Sequence, residues 1–285
     1  MTALRDRAAF RSAYDEAMRR WPPGTAVADL PSEFGLTRVY SCGPAQGRPV
    51  VLLSAYGATS LEWNALAHDL AADHRVHAID VPGDPGGSVA DGIPIDVPER
   101  MRAWLVGVLD GLGASSAHLV GHSYGAWIAL DLALHGSGGA PARVSGLTLL
   151  DPTMCFAPLV KSYIFRATPV MMRPSGERRT GLIKWETRGV PLNQDWLALT
   201  ALGTDAFGLT TTVSTRIPPA SAFTALTAPT TALFAGRGRV NPTRSAARRA
   251  AARSPLITAR ILPDASHYGL PMTHPQQVAA AVRPA

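Results

Sequence analysis

Short apolar runs alternate with helical segments along most of the chain, and this alternation constrains the fold more than any other feature. The candidate strands are residues 49–54, 75–80, 117–121, 144–150, 230–235 and 256–262. The candidate helices between and after them are residues 61–72, 98–112, 124–135, 243–253 and 275–282. Continuous apolar strands joined by helices indicate a parallel sheet covered on both faces. The sequence therefore predicts an α/β fold with a doubly wound, mostly parallel sheet.

Two segments fall outside this alternation. Residues 3–20 place apolar side chains among charges at helical intervals, and Trp21-Pro22-Pro23 ends that helix. Residues 153–226 separate two strands that otherwise look adjacent, and an apolar insertion of this length is expected to cover the carboxyl ends of the strands. We read it as a helical lid, with an ordinary structural subdomain as the alternative. The expected division is an N-terminal helical extension, a core in two pieces and the lid: residues 1–30, 31–152 with 227–285, and 153–226.

The composition excludes several classes of protein. With 285 residues, 46% of them hydrophobic and 17% charged, the chain is neither disordered nor fibrous. Its net charge of +6 comes without zinc-finger or basic-zipper spacing and without interleaved aromatic and basic residues, so we expect no nucleic-acid partner. Charges interrupt the N-terminus where a signal peptide needs an apolar run, and no stretch reaches the roughly 18 apolar residues of a membrane span. We expect a cytoplasmic protein without a membrane partner.

The two cysteines, Cys42 and Cys155, are too few for a disulfide framework, and their spacing offers no metal site. We expect both to be reduced, packed thiols.

Ser123 is the candidate nucleophile. It lies in Gly121-His122-Ser123-Tyr124-Gly125, which fits G-x-S-x-G, with a predicted strand leading in and a predicted helix leading out. This setting holds a serine exposed on a sharp turn. A serine hydroxyl needs a base to remove its proton. Among the eight histidines His267 is the best candidate, because it follows the last predicted strand and its loop opens at the same edge of the sheet.

With these residues the chain resembles the α/β-hydrolase superfamily and, within it, bacterial carboxylesterases that carry a short N-terminal helix. The resemblance rests on Tyr14 to Trp21, Phe34 to Thr37, residues 49–54 with Trp63, Asp80 to Ser88, Gly121 to Gly125, and His267. It implies hydrolysis of an ester or thioester by a Ser-His-acid triad, with no metal and no cofactor. It leaves the substrate open.

The first loop departs from the family pattern. It reads Ser54-Ala55-Tyr56-Gly57, where such enzymes usually have His-Gly. Backbone N–H groups build an oxyanion hole, and any residue except proline supplies one, so Tyr56 and Tyr124 are the candidate donors. The Tyr56 side chain either contacts the substrate or caps the pocket, and the sequence does not choose between these two roles.

The acid of the triad is the second departure. The family usually places it after the strand at 230–235, but Arg239 stands there. A guanidinium beside the histidine would disfavour the imidazolium, so either the acid comes from elsewhere or the protein is not an ordinary hydrolase. Asp151, directly after the strand at 144–150, is the candidate replacement, because some α/β-hydrolases draw their acid from that strand. Ending the strand is its structural alternative, and Asp264 reads as a turn residue.

The preferred hypothesis is a serine hydrolase that cleaves an ester or thioester of a small apolar acyl substrate through an acyl-enzyme. The side chains expected to contact the acyl group are Tyr56, Trp185, Trp196 and Phe156. Acyl transfer or cyclisation in a specialised biosynthetic pathway is one alternative, and a non-hydrolytic ligand-binding protein on the same fold is another.

An arginine-rich run follows the strand at 230–235. Its members are Arg237, Arg239, Arg244, Arg248, Arg249 and Arg253. The run is either a solvated helix face or a docking patch for an acidic carrier protein, such as an acyl carrier, or for the phosphate of phosphopantetheine or coenzyme A.

Overall fold

Eight strands form one sheet in the computed structural model, which describes residues 2–135, 143–210 and 213–283. The strands are β1 (Ala26–Ser32), β2 (Gly35–Cys42), β3 (Arg48–Leu53), β4 (His74–Ile79), β5 (Ala117–His122), β6 (Val144–Leu150), β7 (Thr230–Ala235) and β8 (Ile257–Leu262). Their order across the sheet is β1-β2-β4-β3-β5-β6-β7-β8. The β1–β2 and β2–β4 pairs are antiparallel and all the others are parallel. The predicted doubly wound, mostly parallel sheet is confirmed.

Helices connect the strands and cover the sheet. They are α1 (Thr2–Met18), α2 (Asn64–Leu70), α3 (Pro98–Gly111), α4 (Tyr124–His135), α5 (Lys161–Met172), α6 (Gly176–Thr187), α7 (Gln194–Phe207), α8 (Thr243–Ala251), α9 (Leu270–Thr273) and α10 (Pro275–Val282). The predicted helices at 124–135 and 275–282 begin and end at the expected residues, and the other predicted elements lie within a few residues of observed ones.

The N-terminal region differs from the prediction. Residues 26–30, which the sequence pattern placed in the helical extension, belong to β1, and β1 pairs along its whole length with β2. The pattern missed β1 because this edge strand is mostly exposed and contains a proline, so apolar residues do not mark it.

Both faces of the sheet are buried under apolar side chains. One cluster includes Trp104 of α3 and Trp127 of α4, and the other includes Tyr14 of α1 and Trp63 in the short 3-10 turn before α2. The Tyr14 hydroxyl donates to the buried carboxylate of Asp80 at 2.8 Å, which ties α1 to the carboxyl end of β4. The N-terminal helix is therefore an integral part of the core.

The insertion, defined here as residues 153–226, supplies α5, α6 and α7 between β6 and β7. Side chains begin two of these helices, since Ser175 accepts from the N–H of Arg178 and Asn193 accepts from that of Trp196. Helix α7 packs on α1, with the rings of Phe10 and Phe207 5.2 Å apart. None of the helices in the described ranges combines the length and apolar character needed to cross a membrane.

Candidate active site

Ser123 occupies a sharp turn between β5 and α4, with φ at 55° in the left-handed region. A residue with a side chain is strained there, and such strain persists only where the surroundings enforce it. The flanking glycines allow the turn. A Cβ on Gly121 would lie 2.3 Å from the carbonyl oxygen of Gly125, and a Cβ on Gly125 would lie 2.0 Å from that of Leu53. The turn presents the serine at the carboxyl edge of the sheet.

His267 lies between Ser123 and Asp151. Its Nε2 is 3.0 Å from Ser123 Oγ, and its Nδ1 is 2.6 Å from Asp151 Oδ2. The histidine and the aspartate are almost fully buried. The three side chains therefore form a continuous hydrogen-bonded series in which a base contacts a hydroxyl and a carboxylate orients that base. The described residues show no hydrogen bond between Asp264 and the imidazole.

The position of Asp151 follows from the strand order. It comes directly after β6, and β6 is the neighbour of β5, which carries the serine turn. Its backbone N–H donates to Leu233, and its Oδ1 accepts from the N–H of Ala235 at 3.2 Å. The amide of Asn241 donates to its carbonyl oxygen at 3.1 Å. With one carboxylate oxygen held by backbone, the other faces the imidazole.

Arg239 does not face the imidazole. Its Nη1 donates to the carbonyl oxygen of Trp185 at 3.1 Å, and its guanidinium lies 4.6 Å from the centre of the Trp185 ring. Its backbone N–H donates to Glu186 at 3.0 Å. The arginine at the usual position of the acid therefore binds the insertion and leaves the histidine to Asp151.

Glu186 of α6 holds the loop that carries His267, residues 263–269 and called here the histidine loop, from the side of the insertion. It is fully buried, and its Oε1 accepts from the N–H of His267 at 3.1 Å while its Oε2 accepts from that of Tyr268 at 3.3 Å. Glu186 is not among the site residues predicted from the sequence. A signal was present, because Glu186 shares a helix face with the apolar Leu182 and Ile183, and a carboxylate on such a face needs buried partners.

A second buried carboxylate, Glu62, holds the same loop from the side of the core. Its Oε2 lies 3.2 Å from Nδ1 of His122, whose Nε2 lies 3.0 Å from the carbonyl oxygen of His267. Its Oε1 accepts from the N–H of Ala55 at 3.0 Å. Glu62 therefore connects the first loop, the serine turn and the histidine loop.

The first loop places Tyr56 beside Tyr124, with their rings in edge-to-face contact at 6.3 Å. Among the described residues no acceptor takes the backbone N–H of either tyrosine. Tyr124 is the first residue of α4, where helix N–H groups have no partner within the helix. The Tyr56 hydroxyl donates to the carbonyl oxygen of Thr210 at 2.9 Å, so it binds the insertion.

A cavity of about 530 Å³ opens beside Ser123. Most of its wall is apolar and comes from the insertion, with Leu159, Ile164, Val170, Met171, Leu182, Leu209 and Val213 among its lining residues. A larger cavity of about 710 Å³ lies at the opposite edge of the sheet and includes none of these residues, so size alone does not locate the site.

Three aromatic side chains expected at the acyl pocket lie elsewhere. Phe156 is buried in the core, with its ring 5.9 Å from that of Phe223, and Trp196 is buried against Tyr268. Trp185 packs against the guanidinium of Arg239. For Phe156 and Trp196 the expectation was wrong because large aromatic rings bury the most apolar area, and here the core takes them. Trp185 is only partly buried, and its ring contacts Arg239 instead of the cavity. Tyr56 alone of the four predicted contacts lines the cavity.

The remaining candidates from the sequence lie away from this cavity. Cys42 and Cys155 are free and buried, and burial raises the pKa of the Cys42 thiol to about 11. Among the described residues no group of three or more His, Cys, Asp or Glu side chains is placed to hold a metal ion. In the arginine-rich run, Arg244, Arg248 and Arg249 are exposed on α8, whose alanines pack on the sheet.

Known proteins share both the sequence pattern and the fold. Residues 50–281 match the model of the alpha/beta hydrolase family. An uncharacterized carboxylesterase of Bacillus subtilis is 28% identical over 149 residues, and carboxylesterase YbfK of the same species is 26% identical over 147 residues. Each match covers 52% of this chain and 48% of the relative, so the chain spans about half the length of these curated relatives.

Solved structures resemble the chain over nearly its whole length. The carboxylesterase CesB (YbfK) of B. subtilis superposes with a TM-score of 0.88 and 21% identity, covering 98% of this chain and 97% of that one. The naproxen esterase of B. subtilis superposes with a TM-score of 0.85 and 21% identity, covering 96% and 95%. At this identity the likeness shows a common fold. The family match over residues 50–281 establishes that the chain belongs to the α/β-hydrolase family.

Proposed function

We propose that the protein is a serine hydrolase that cleaves the ester of a small acyl substrate through an acyl-enzyme. The observation that carries the proposal is the hydrogen-bonded series from Ser123 through His267 to Asp151, which begins in a mostly apolar cavity. The relatives named carboxylesterases support an ester as the bond that is cleaved.

The proposed reaction starts with attack of Ser123 Oγ on the carbonyl carbon, while His267 Nε2 takes the hydroxyl proton. The C=O electron pair moves to oxygen, and the backbone N–H groups of Tyr56 and Tyr124 stabilise the resulting oxyanion. As the oxyanion collapses, the bond to the alcohol breaks and His267 returns the proton to the leaving oxygen. Water then attacks the acyl-enzyme by the same proton transfers and releases the acid. Asp151 orients the imidazole and stabilises its protonated form.

The insertion acts as a lid in this proposal. It supplies most of the cavity wall and contacts the first loop through Tyr56 and Thr210. Its aliphatic side chains would bind the apolar part of the acyl group, since burial in such a cavity removes apolar surface from water.

Acyl transfer, cyclisation and thioester cleavage remain variants of the same proposal, because all of them form an acyl-enzyme. A pimeloyl-[acyl-carrier protein] methyl ester esterase of Aeromonas salmonicida, 31% identical over 111 residues, favours an acyl carrier as one substrate to test.

Covalent labelling tests the proposal. A fluorophosphonate should add to the wild-type protein at Ser123, and the adduct should be absent in Ser123→Ala. Ser145→Ala, which changes an exposed serine of β6, should label like wild type. A panel of p-nitrophenyl esters of graded chain length would then identify the preferred acyl group. No adduct in the wild-type protein would contradict the proposal and favour a ligand-binding protein.

A further inference from the structure

Arg179 is the one charged side chain among the described residues that line the cavity of Ser123. The other lining residues are aliphatic, aromatic or small hydroxyl residues. An arginine does not lose its proton in a protein, so its charge persists in this setting. A charge in a mostly apolar cavity is costly unless something pairs with it.

No Asp or Glu carboxylate in the described part of the chain pairs with Arg179. Every Asp and Glu of the chain lies among the residues whose side chains the structure describes. The ion pairs formed there do not include Arg179. The buried Asp84 lies near it, but its carboxylate accepts from the hydroxyl of Thr210 and from the N–H of Gly57.

The guanidinium is held in place by a contact that uses few of its donors, as far as the described residues show. Its Nη2 donates to the carbonyl oxygen of Tyr56 at 2.9 Å, and its central carbon lies 5.8 Å from the centre of the Tyr268 ring. A guanidinium has five N–H groups, and this is the one hydrogen bond that the described residues show for it. The side chain is therefore fixed beside the first loop, and the described residues leave most of its donors available.

We propose that Arg179 binds a second, ionised carboxyl group of the substrate, so that the preferred substrates are monoesters of dicarboxylic acids. The inference rests on the proposed ester hydrolysis at Ser123. A carboxylate presents two oxygens and one negative charge, which matches a single guanidinium fork. The aliphatic wall of the cavity would hold the methylene groups that separate the carboxylate from the ester.

Arg179 also positions the first loop, because it holds the carbonyl oxygen of the residue proposed as an oxyanion donor. Its replacement would then slow the reaction of every substrate. A preference between two substrates that differ only in charge separates the two roles, since loss of loop position lowers kcat for both by the same factor.

The test compares monomethyl adipate with methyl 6-amino-6-oxohexanoate, in which a neutral amide replaces the carboxylate. The wild-type kcat/KM should favour the carboxylate by about tenfold or more, because the amide leaves the charge of Arg179 unmatched. Arg179→Gln should bring this ratio close to one, mainly through a higher KM for the carboxylate ester. Monomethyl esters from succinate to suberate would show which chain length spans the cavity.

The matched control is Arg178→Gln. Arg178 is the preceding residue of α6, is exposed, donates to the carbonyl oxygen of Arg173 and does not line the cavity of Ser123. This variant should keep the wild-type ratio. Arg179→Lys, which keeps the charge and loses the fork, should retain part of the preference.

Two results would overturn the inference: a wild-type ratio below about threefold, or a ratio that Arg179→Gln leaves unchanged. The wild-type ratio decides even where a variant fails to fold. Fluorophosphonate labelling of the same preparations separates this inference from the proposed function. Labelling at Ser123 without a charge preference removes only the role of Arg179, whereas absence of labelling removes the hydrolase proposal itself.

Discussion

The carboxyl edge of the sheet and the insertion contribute to the same site in different ways. Ser123 and Asp151 follow β5 and β6, which are neighbours, so the spacing of strands, about 4.8 Å, brings the two residues together. Glu186 and Arg179 reach the site from α6, a helix whose position depends on long-range packing. The positions of the groups proposed to react therefore follow from strand order, whereas the cavity wall depends on how a separate set of helices packs.

The insertion is nonetheless coupled to the chemistry. Glu186 accepts from the backbone of the histidine loop, and the hydroxyls of Tyr163 and Tyr268 are 2.7 Å apart. These contacts distinguish it from a passive cover, because movement of α6 would disturb the loop that carries His267. The two regions should then differ in the size of the effect that a substitution has on catalysis, with direct contacts at the edge giving the larger ones.

Asp151→Asn should produce the largest loss. An amide beside Nδ1 favours the wrong tautomer of His267, so kcat should fall by about 10³- to 10⁴-fold. Steady-state kinetics on a p-nitrophenyl ester measures it. Asp264→Asn is the control and should change kcat little, because the structure shows no hydrogen bond from Asp264 to the imidazole within the described residues. Equal small losses in both variants would remove Asp151 from the triad.

Glu186→Gln should produce an intermediate loss and so measure how strongly the insertion acts on the edge. One amide oxygen cannot accept from all the N–H groups that the carboxylate now binds, so unfolding should need about 2 to 3 kcal/mol less free energy. The histidine loop would loosen, lowering kcat about tenfold with little change in KM. Urea unfolding and steady-state kinetics give the two values. The control is Glu177→Gln, which changes an exposed residue of the same helix and should leave the free energy of unfolding and kcat unchanged. If Glu186→Gln also left both values unchanged, the insertion would be only a passive cover.

Mild acid should lower the stability of the fold through two buried histidines, His77 and His118, that lack a carboxylate partner. Burial, with a smaller contribution from a neighbouring charge, lowers the pKa of His77 and of His118 to about 4. An unfolded histidine has a pKa of about 6.5, so this stability is fully present above pH 6.5 and is lost as the pH falls towards 4. At about pH 4.5 each histidine should lower the free energy of unfolding by on the order of 2 kcal/mol.

Comparing the pH dependence of unfolding in wild type and in His118→Gln isolates the contribution of His118, because other titrating groups act equally in both proteins. Burial raises the pKa of Asp84 to about 6, so this carboxyl acts with the opposite sign over the same range. The difference between urea unfolding at about pH 7 and about pH 4.5 should be smaller in His118→Gln than in wild type. The same difference in both proteins would mean that His118 does not sense this change of pH.

The parts of the molecule that sequence reasoning reached are those that local rules determine. The serine turn is marked by two glycines and by a strand and helix on either side, and Asp151 is marked by the end of the neighbouring strand. Local rules do not reveal which face of the insertion turns inward. The sequence-based prediction of the acyl pocket therefore included Trp185, Trp196 and Phe156, and it did not include Arg179. Strand β1 was missed because its pairing with β2, and not an apolar pattern, defines it.

The proposed position of the acid after β6 has a consequence for the loop that follows β7. Residues 236–242 supply none of the groups proposed to react, and several of their hydrogen bonds run to the insertion: the N–H of Arg239 donates to Glu186, Arg237 donates to the carbonyl oxygen of Arg188, and Val240 accepts from the N–H of Val160. Asn241 differs from these, because its amide donates to the carbonyl oxygen of Asp151. Changes of the Arg237 and Arg239 side chains would alter how the cavity wall is anchored, whereas a change of Asn241 would disturb Asp151. The two arginine side chains are therefore the natural places in this loop to redesign selectivity, with Asn241 kept to hold the proposed acid.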